Sequence, residues 1–88
     1  MKLEDVKVGE IYRFAEYSDL ENQFCWSGFC QITRQERCLP LYRDGTRFQA
    51  YAIFDDLDHD ETRVMYAKEL DRLATKNEAK EFLMRTIT

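Results

Sequence analysis

No apolar run in the chain approaches the roughly 18 residues that a membrane-spanning helix needs. The opening, MKLEDVKVGE, carries acids early and has no apolar stretch. Neither a membrane span nor a secretory leader is therefore expected, and the cytosol is the expected compartment. The three cysteines are an odd number in a chain of this kind, which points to free thiols, not a disulfide framework. Cys25, Cys30 and Cys38 with His59 do not have zinc-knuckle or zinc-ribbon spacing. On one unbroken strand, Cys25 and Cys30 point to opposite faces and lie about 17 Å apart at ~3.3 Å per residue. Asp56, Asp58 and Asp60 alternate like the start of a calcium loop. Glu61 then stands where a glycine is required, and Ala67 where the bidentate glutamate belongs. No metal and no cofactor is expected. The single histidine, His59, lies among carboxylates and has no serine or cysteine beside it placed as a nucleophile, so an enzyme is not expected. Internal repeats, linkers and low-complexity segments are also missing.

What is present is a core. The chain has 88 residues, 44% of them hydrophobic and 14% aromatic, which suits one packed domain over 1–88 and argues against disorder. A domain of this size buries roughly 60–65% of its unfolded surface, enough to be stable without staples. The net charge of −4 is uneven, with residues 51–61 holding five acids and no base. Residues 31–50 hold Arg34, Arg37, Arg43 and Arg47 against Glu36 and Asp44. Overall acidity disfavours generic nucleic-acid binding, while the arginine cluster keeps a local version of it open.

Alternation predicts strands. Glu10–Tyr17 should turn Tyr12 and Phe14 inward, with Leu3, Val6 and Val8 tucked beneath. After a polar loop at Ser18–Gln23, Phe24–Arg34 places Phe24, Trp26, Cys30 and Ile32 on one face, and Gly28 marks a bend. Gln35–Arg37 reads as a turn. Leu39–Arg43 and Thr46–Phe54 read as a hairpin joined by Asp44-Gly45, and Pro40 marks an edge. Thr46, Phe48, Ala50, Ala52 and Phe54 share the core face. Arg47, Gln49, Tyr51, Ile53 and Asp55 share the other. Thr62–Ala67 is the last strand, with Val64 and Tyr66 on one face and Met65 on the other. Leu70 and Leu73 stand one helical turn apart. Thr75 and Glu78 form a capping box that opens a helix to about Arg85, with Ala79, Phe82 and Leu83 as its apolar stripe. The expected fold class is mainly β (α+β): a five-stranded antiparallel barrel over about 6–74, with a C-terminal α-helix over about 76–85.

The entry VKVGEIYRF and the final strand passing into a helical turn, RVMYAKELDRLA, resemble SH3-like small barrels. The resemblance implies a binding domain whose partner is a peptide, a modified side chain, a nucleic acid or a protein. The small size also resembles phage-encoded accessory proteins that bind and inhibit a host or defence protein. The leading expectation is a non-enzymatic protein-binding module, monomeric or homodimeric. Its partner-binding residues would be Asp55, Asp56, Asp58, Asp60 and Glu61, whose mutual repulsion a basic partner relieves, together with Phe29 as the exposed aromatic opposite an inward Trp26. One alternative is a nucleic-acid-binding face of Arg43, Arg47, Tyr42 and Tyr51. The other is an acidic mimic of nucleic acid.

Overall fold

A side chain at position 28 would have no room. In the computed structural model, which describes residues 1–17, 24–38, 45–55 and 59–86, a Cβ built on Gly28 meets the Ile53 carbonyl oxygen at 2.1 Å and the Phe54 Cα at 3.0 Å. Gly28 lies in β2 (Phe24–Cys38), opposite Phe14 of β1 (Ile11–Tyr17) and Phe54 of β3 (Gly45–Phe54). This close approach lets one long strand serve two neighbours while the sheet curls. Phe14 and Phe54 fill the hollow with an edge-to-face contact, ring centroids 5.5 Å apart.

The remaining strands are β4 (Asp60–Met65) and β5 (Leu70–Leu73), linked by a 3-10 turn at Ala67–Glu69. All pairings are antiparallel, and the sheet order is β4-β3-β2-β1-β5. Helix α1 (Lys76–Thr86) follows. The mainly β class with five antiparallel strands and a C-terminal helix is thus as expected. Among the described residues no helix is long and apolar enough to cross a membrane.

Alternation predicted the concave face of β3 and β1 correctly. Phe48, Ala50 and Ala52 are fully buried, Phe54 nearly so, and Tyr12, Phe14, Cys30, Ile32, Met65 and Leu70 join them in one core. That β4 and β5, at opposite ends of the sheet, share this interior shows how far the sheet wraps. A second cluster lies on the convex face. Ile11 and Ile53 meet Phe82 of α1 there, flanked by Phe29, Tyr51, Ala74 and Ala79.

Several elements depart from the sequence reading. Gln35–Arg37 is not a turn. A bulge between Ile32 and Arg34 carries β2 on to Cys38, with Glu36 opposite Arg47 and Arg37 opposite Thr46. The partners of β3 are therefore β2 and β4, while the expected strand Leu39–Arg43 and Pro40 lie outside the described residues. Leu70 and Leu73 do not lie on a helical turn but on β5, which pairs with β1. Pairing satisfies the backbone groups of β1 that would otherwise be left at an open edge. Leu70 is buried and Leu73 exposed. On β4 it is Met65, not Val64 or Tyr66, that reaches the core. Val6 tucks under the sheet as expected, whereas Leu3 and Val8 stay exposed.

The capping box forms as predicted. The Glu78 backbone N–H donates to Thr75 Oγ1 at 3.2 Å, and the Thr75 N–H donates to Glu78 Oε1 at 2.9 Å. Arg72 of β5 adds a two-pronged ion pair to Glu78 at 2.7 and 3.0 Å. Leu83, placed on the apolar stripe, is exposed.

Two measurements check this architecture. Gly28→Ala must push the β2 and β3 backbones apart, and should cost about 3 kcal/mol, the upper end of overpacking penalties. A urea midpoint close to wild type would show that the approach is dispensable. The Arg72 guanidinium, then the Thr75 N–H, hold the Glu78 carboxyl down from 4.5 to about 2. A group depressed on folding stabilises above its unfolded pKa, and that contribution is lost as pH falls through the folded value. Helicity by circular dichroism should therefore fall more in wild type than in Glu78→Gln between pH 4.5 and 2.

Candidate interaction surface

Among the described residues, the carboxylates expected to await a partner, Asp55, Asp60 and Glu61, already have partners within the chain. Asp55 Oδ2 pairs with Arg13 Nη2 at 2.5 Å and accepts the Ser27 hydroxyl at 2.9 Å. Arg13, then the Ser27 hydroxyl, hold the Asp55 carboxyl below its ordinary range. Asp60 accepts the Tyr51 hydroxyl. Glu61 lies 3.6 Å from His59 Nε2 and 3.8 Å from Arg63 Nη1. The two sides of the sheet also separate these acids: Asp60 follows the convex face of β4, and Glu61 the concave one. Asp56 and Asp58 lie outside the described residues.

The basic-aromatic set divides in the same way. Arg47 and Tyr51 share the convex face of β3, as alternation requires, while Tyr42 and Arg43 lie outside the described residues. Arg47 Nε reaches Glu36 Oε2 at 2.9 Å, and Arg34 pairs with the same carboxylate. Arg34, then Arg47 and Gln49, keep Glu36 ionised below its ordinary range. Tyr51 packs edge-to-face on Phe82 with ring centroids 6.2 Å apart, so α1 covers part of its stacking surface.

The exposed aromatic is not Phe29. Phe29 is half-buried beside α1, with the Arg13 guanidinium 4.9 Å from its ring centre. Trp26, expected inside, is instead 39% exposed. Alternation had its face right: positions 26, 28, 30 and 32 all look into the hollow. Cys30 and Ile32 stand in the middle, and Trp26 stands at the mouth, where β2 begins.

An assembly at that mouth holds Trp26 in place. Its indole N–H donates to Glu16 Oε2 from the neighbouring position on β1. Arg63 of β4 reaches across the mouth to the same oxygen at 2.7 Å. Its guanidinium sits 5.6 Å from the Phe54 ring centre and 6.0 Å from that of Trp26. The Arg63 side chain is only 19% exposed, and its Nε is buried without a hydrogen-bond partner. One carboxylate on β1 thus fastens an indole from β2 and a guanidinium from β4. Glu69 lies near enough for its charge to feel Glu16 and Arg63, and burial raises its pKa. The Glu16–Arg63 link joins residues too distant in sequence, and too different in register, for any motif to announce it.

Beside α1 runs a groove of about 600 Å³ between the helix and β3–β4, bordered by Tyr51, Asp60, Glu81 and Met84. A smaller hollow of about 190 Å³ lies over Phe29 and Phe82. Cys30 is buried, and burial, reinforced by the Glu69 charge, pushes its thiol up to about 12. It is therefore a packed thiol that stays protonated, not a nucleophile. Among the described residues, no three side chains of His, Cys, Asp or Glu gather as metal ligands.

Fold and surface together define a small curled β-sheet domain with a docked helix and one exposed, fastened tryptophan. No family model, curated protein or solved structure matches the chain.

Glu16→Gln removes the charge that Trp26 and Arg63 share. It should lower stability by roughly 1–2 kcal/mol, the range for hydrogen bonds to a charged group at a half-exposed site. The emission of the single tryptophan should shift to the red as its ring is released. Unchanged emission and an unchanged urea midpoint would show that the mouth is not held by Glu16.

Proposed function

We propose that the chain is a non-enzymatic protein-binding module of the SH3-like type, and that its contact surface centres on Trp26. The order β4-β3-β2-β1-β5, with a 3-10 turn before β5, supports the family reading. The state of Trp26 carries the functional reading. Its indole is 39% exposed, yet Glu16 and Arg63 fix its orientation. An exposed aromatic normally loses rotamer freedom on binding, whereas one held beforehand avoids most of that cost. Tryptophan surrounded by polar and charged groups is also the residue type most often found at the energetic centre of protein interfaces. Arg34 and Arg47 are drawn onto Glu36, and Tyr51 onto Asp60 and Phe82, which weakens the nucleic-acid reading.

With the full chain as bait, Trp26→Ala should weaken a captured protein partner at least tenfold. Leu73→Ala, an exposed apolar control on β5, should leave the affinity unchanged. Equal affinity of the Trp26 variant and wild type would reject this surface. A gel shift with single-stranded or duplex probes, disappearing steeply as salt rises, would favour nucleic acid instead.

A further inference from the structure

Among the described residues β4 is the last strand in the order β4-β3-β2-β1-β5 and has a sheet neighbour on one side only. Which backbone groups look outward follows from one hydrogen bond. The Phe54 N–H donates to the His59 carbonyl at 2.9 Å. In an antiparallel ladder, bonded pairs recur at every second position. The pairs Ala52–Glu61, Ala50–Arg63 and Phe48–Met65 are therefore the bonded ones. The intervening β3 residues, Gln49 to Asp55, must direct their backbone towards β2. Two contacts agree: Asp55 N–H donates to the Ser27 carbonyl, and the Gln49 carbonyl accepts Thr33 Oγ1. It follows that Asp60, Thr62 and Val64 aim their N–H and C=O groups away from β3, along the open edge.

We propose that this edge joins a second copy of the chain in an antiparallel, two-fold dimer centred on Thr62. Parity restricts the choice, because outward-facing residues must stand opposite outward-facing residues. Charge then selects among the registers that remain. Centring on Asp60 or Glu61 sets like carboxylates face to face, and centring on Arg63 opposes two guanidinium groups, each of which is destabilising. Centring on Val64 leaves half of β4, Asp60 to Thr62, without a strand partner. Centring on Thr62 instead places Glu61 opposite the second copy's Arg63, whose guanidinium stays on Glu16 and 3.8 Å from its own Glu61, so unlike charges stand across the axis. These are non-hydrogen-bonded positions, where opposing side chains come closest. Threonine meets threonine at the axis, a favourable cross-strand pair. Asp60 and Val64 exchange backbone hydrogen bonds with Val64 and Asp60 of the second copy. A strand that is complementary to itself about one point is what an isologous interface requires.

The surroundings fit. Asp60 also borders the groove beside α1, where Met84 is 63% exposed. The second copy's Val64 would arrive next to Asp60 and bring an apolar group to that border. Charged residues on an edge strand normally deter pairing with foreign strands. Here their order deters the centres at Asp60, Glu61 and Arg63 while favouring the one at Thr62.

Sedimentation equilibrium of the full chain over roughly 10 to 500 µM tests the dimer, a range suited to a small interface. The weight-average mass should rise from 10.6 kDa towards twice that value. Thr62→Pro removes an outward N–H without touching the β3 ladder, and should weaken dimerisation at least tenfold while circular dichroism stays native. Glu61→Arg, which sets Arg against Arg across the axis, should do the same if the proline variant fails to fold. A monomer throughout the range would overturn the proposal, and so would variants that fold and dimerise as wild type does.

Discussion

The close approach of Gly28 to the Ile53–Phe54 backbone is the constraint on which the other contacts depend. It lets β2 run close between two partners, with β1 and β5 on one side and β3 and β4 on the other. The curl of the sheet brings Phe14 against Phe54 and places Met65 and Leu70, from opposite sheet ends, in one core. It also carries β4 near the far end of β1, where Arg63 can reach Glu16. A β-carbon at position 28 would open this arrangement at its narrowest point.

Closure of the mouth by side chains, with no backbone ladder between β4 and β1, has consequences for the surface. A ladder would have hidden its participants. The Glu16–Arg63 link keeps the mouth shut while Trp26 stays 39% exposed. The partly buried guanidinium is compensated by one carboxylate and two aromatic rings, although Nε lacks a partner. Rigidity and exposure are thus combined in one residue, as a recognition surface needs. On the other side of the sheet, α1 covers Ile11 and Ile53 and leaves a groove beside β4. The two faces of the sheet therefore offer chemically different surfaces, one aromatic and charged, the other a helix-walled groove.

Strand alternation in β1 and β3 and the Thr75–Glu78 box were legible because each depends on neighbours within a few residues, whereas the irregularity expected at Gly28 falls between Ile32 and Arg34. Binary pattern determines which face of a strand is apolar, and a capping box is closed by its own four residues. The errors share a physical origin. The β2 bulge exchanged the faces of Arg34–Arg37, and no local preference distinguishes that stretch from a turn. β5 is only four residues long and is a strand because β1 needs a neighbour, so its own leucine spacing misleads.

By itself the sequence determined the class of fold: apolar residues at every second position must be withdrawn from water, and this is arranged most simply by a sheet with one face turned inward. It also determined the helix start. Tertiary structure alone decided that Trp26 stands at the mouth and not in the middle, because alternation specifies a face but not a depth along the axis. It alone decided that Asp55 belongs to Arg13 and Glu16 to Arg63, and that β4 stands last in the sheet among the described residues. Pairings between distant strands are set by how the whole sheet curls, and no run of neighbouring residues contains that information.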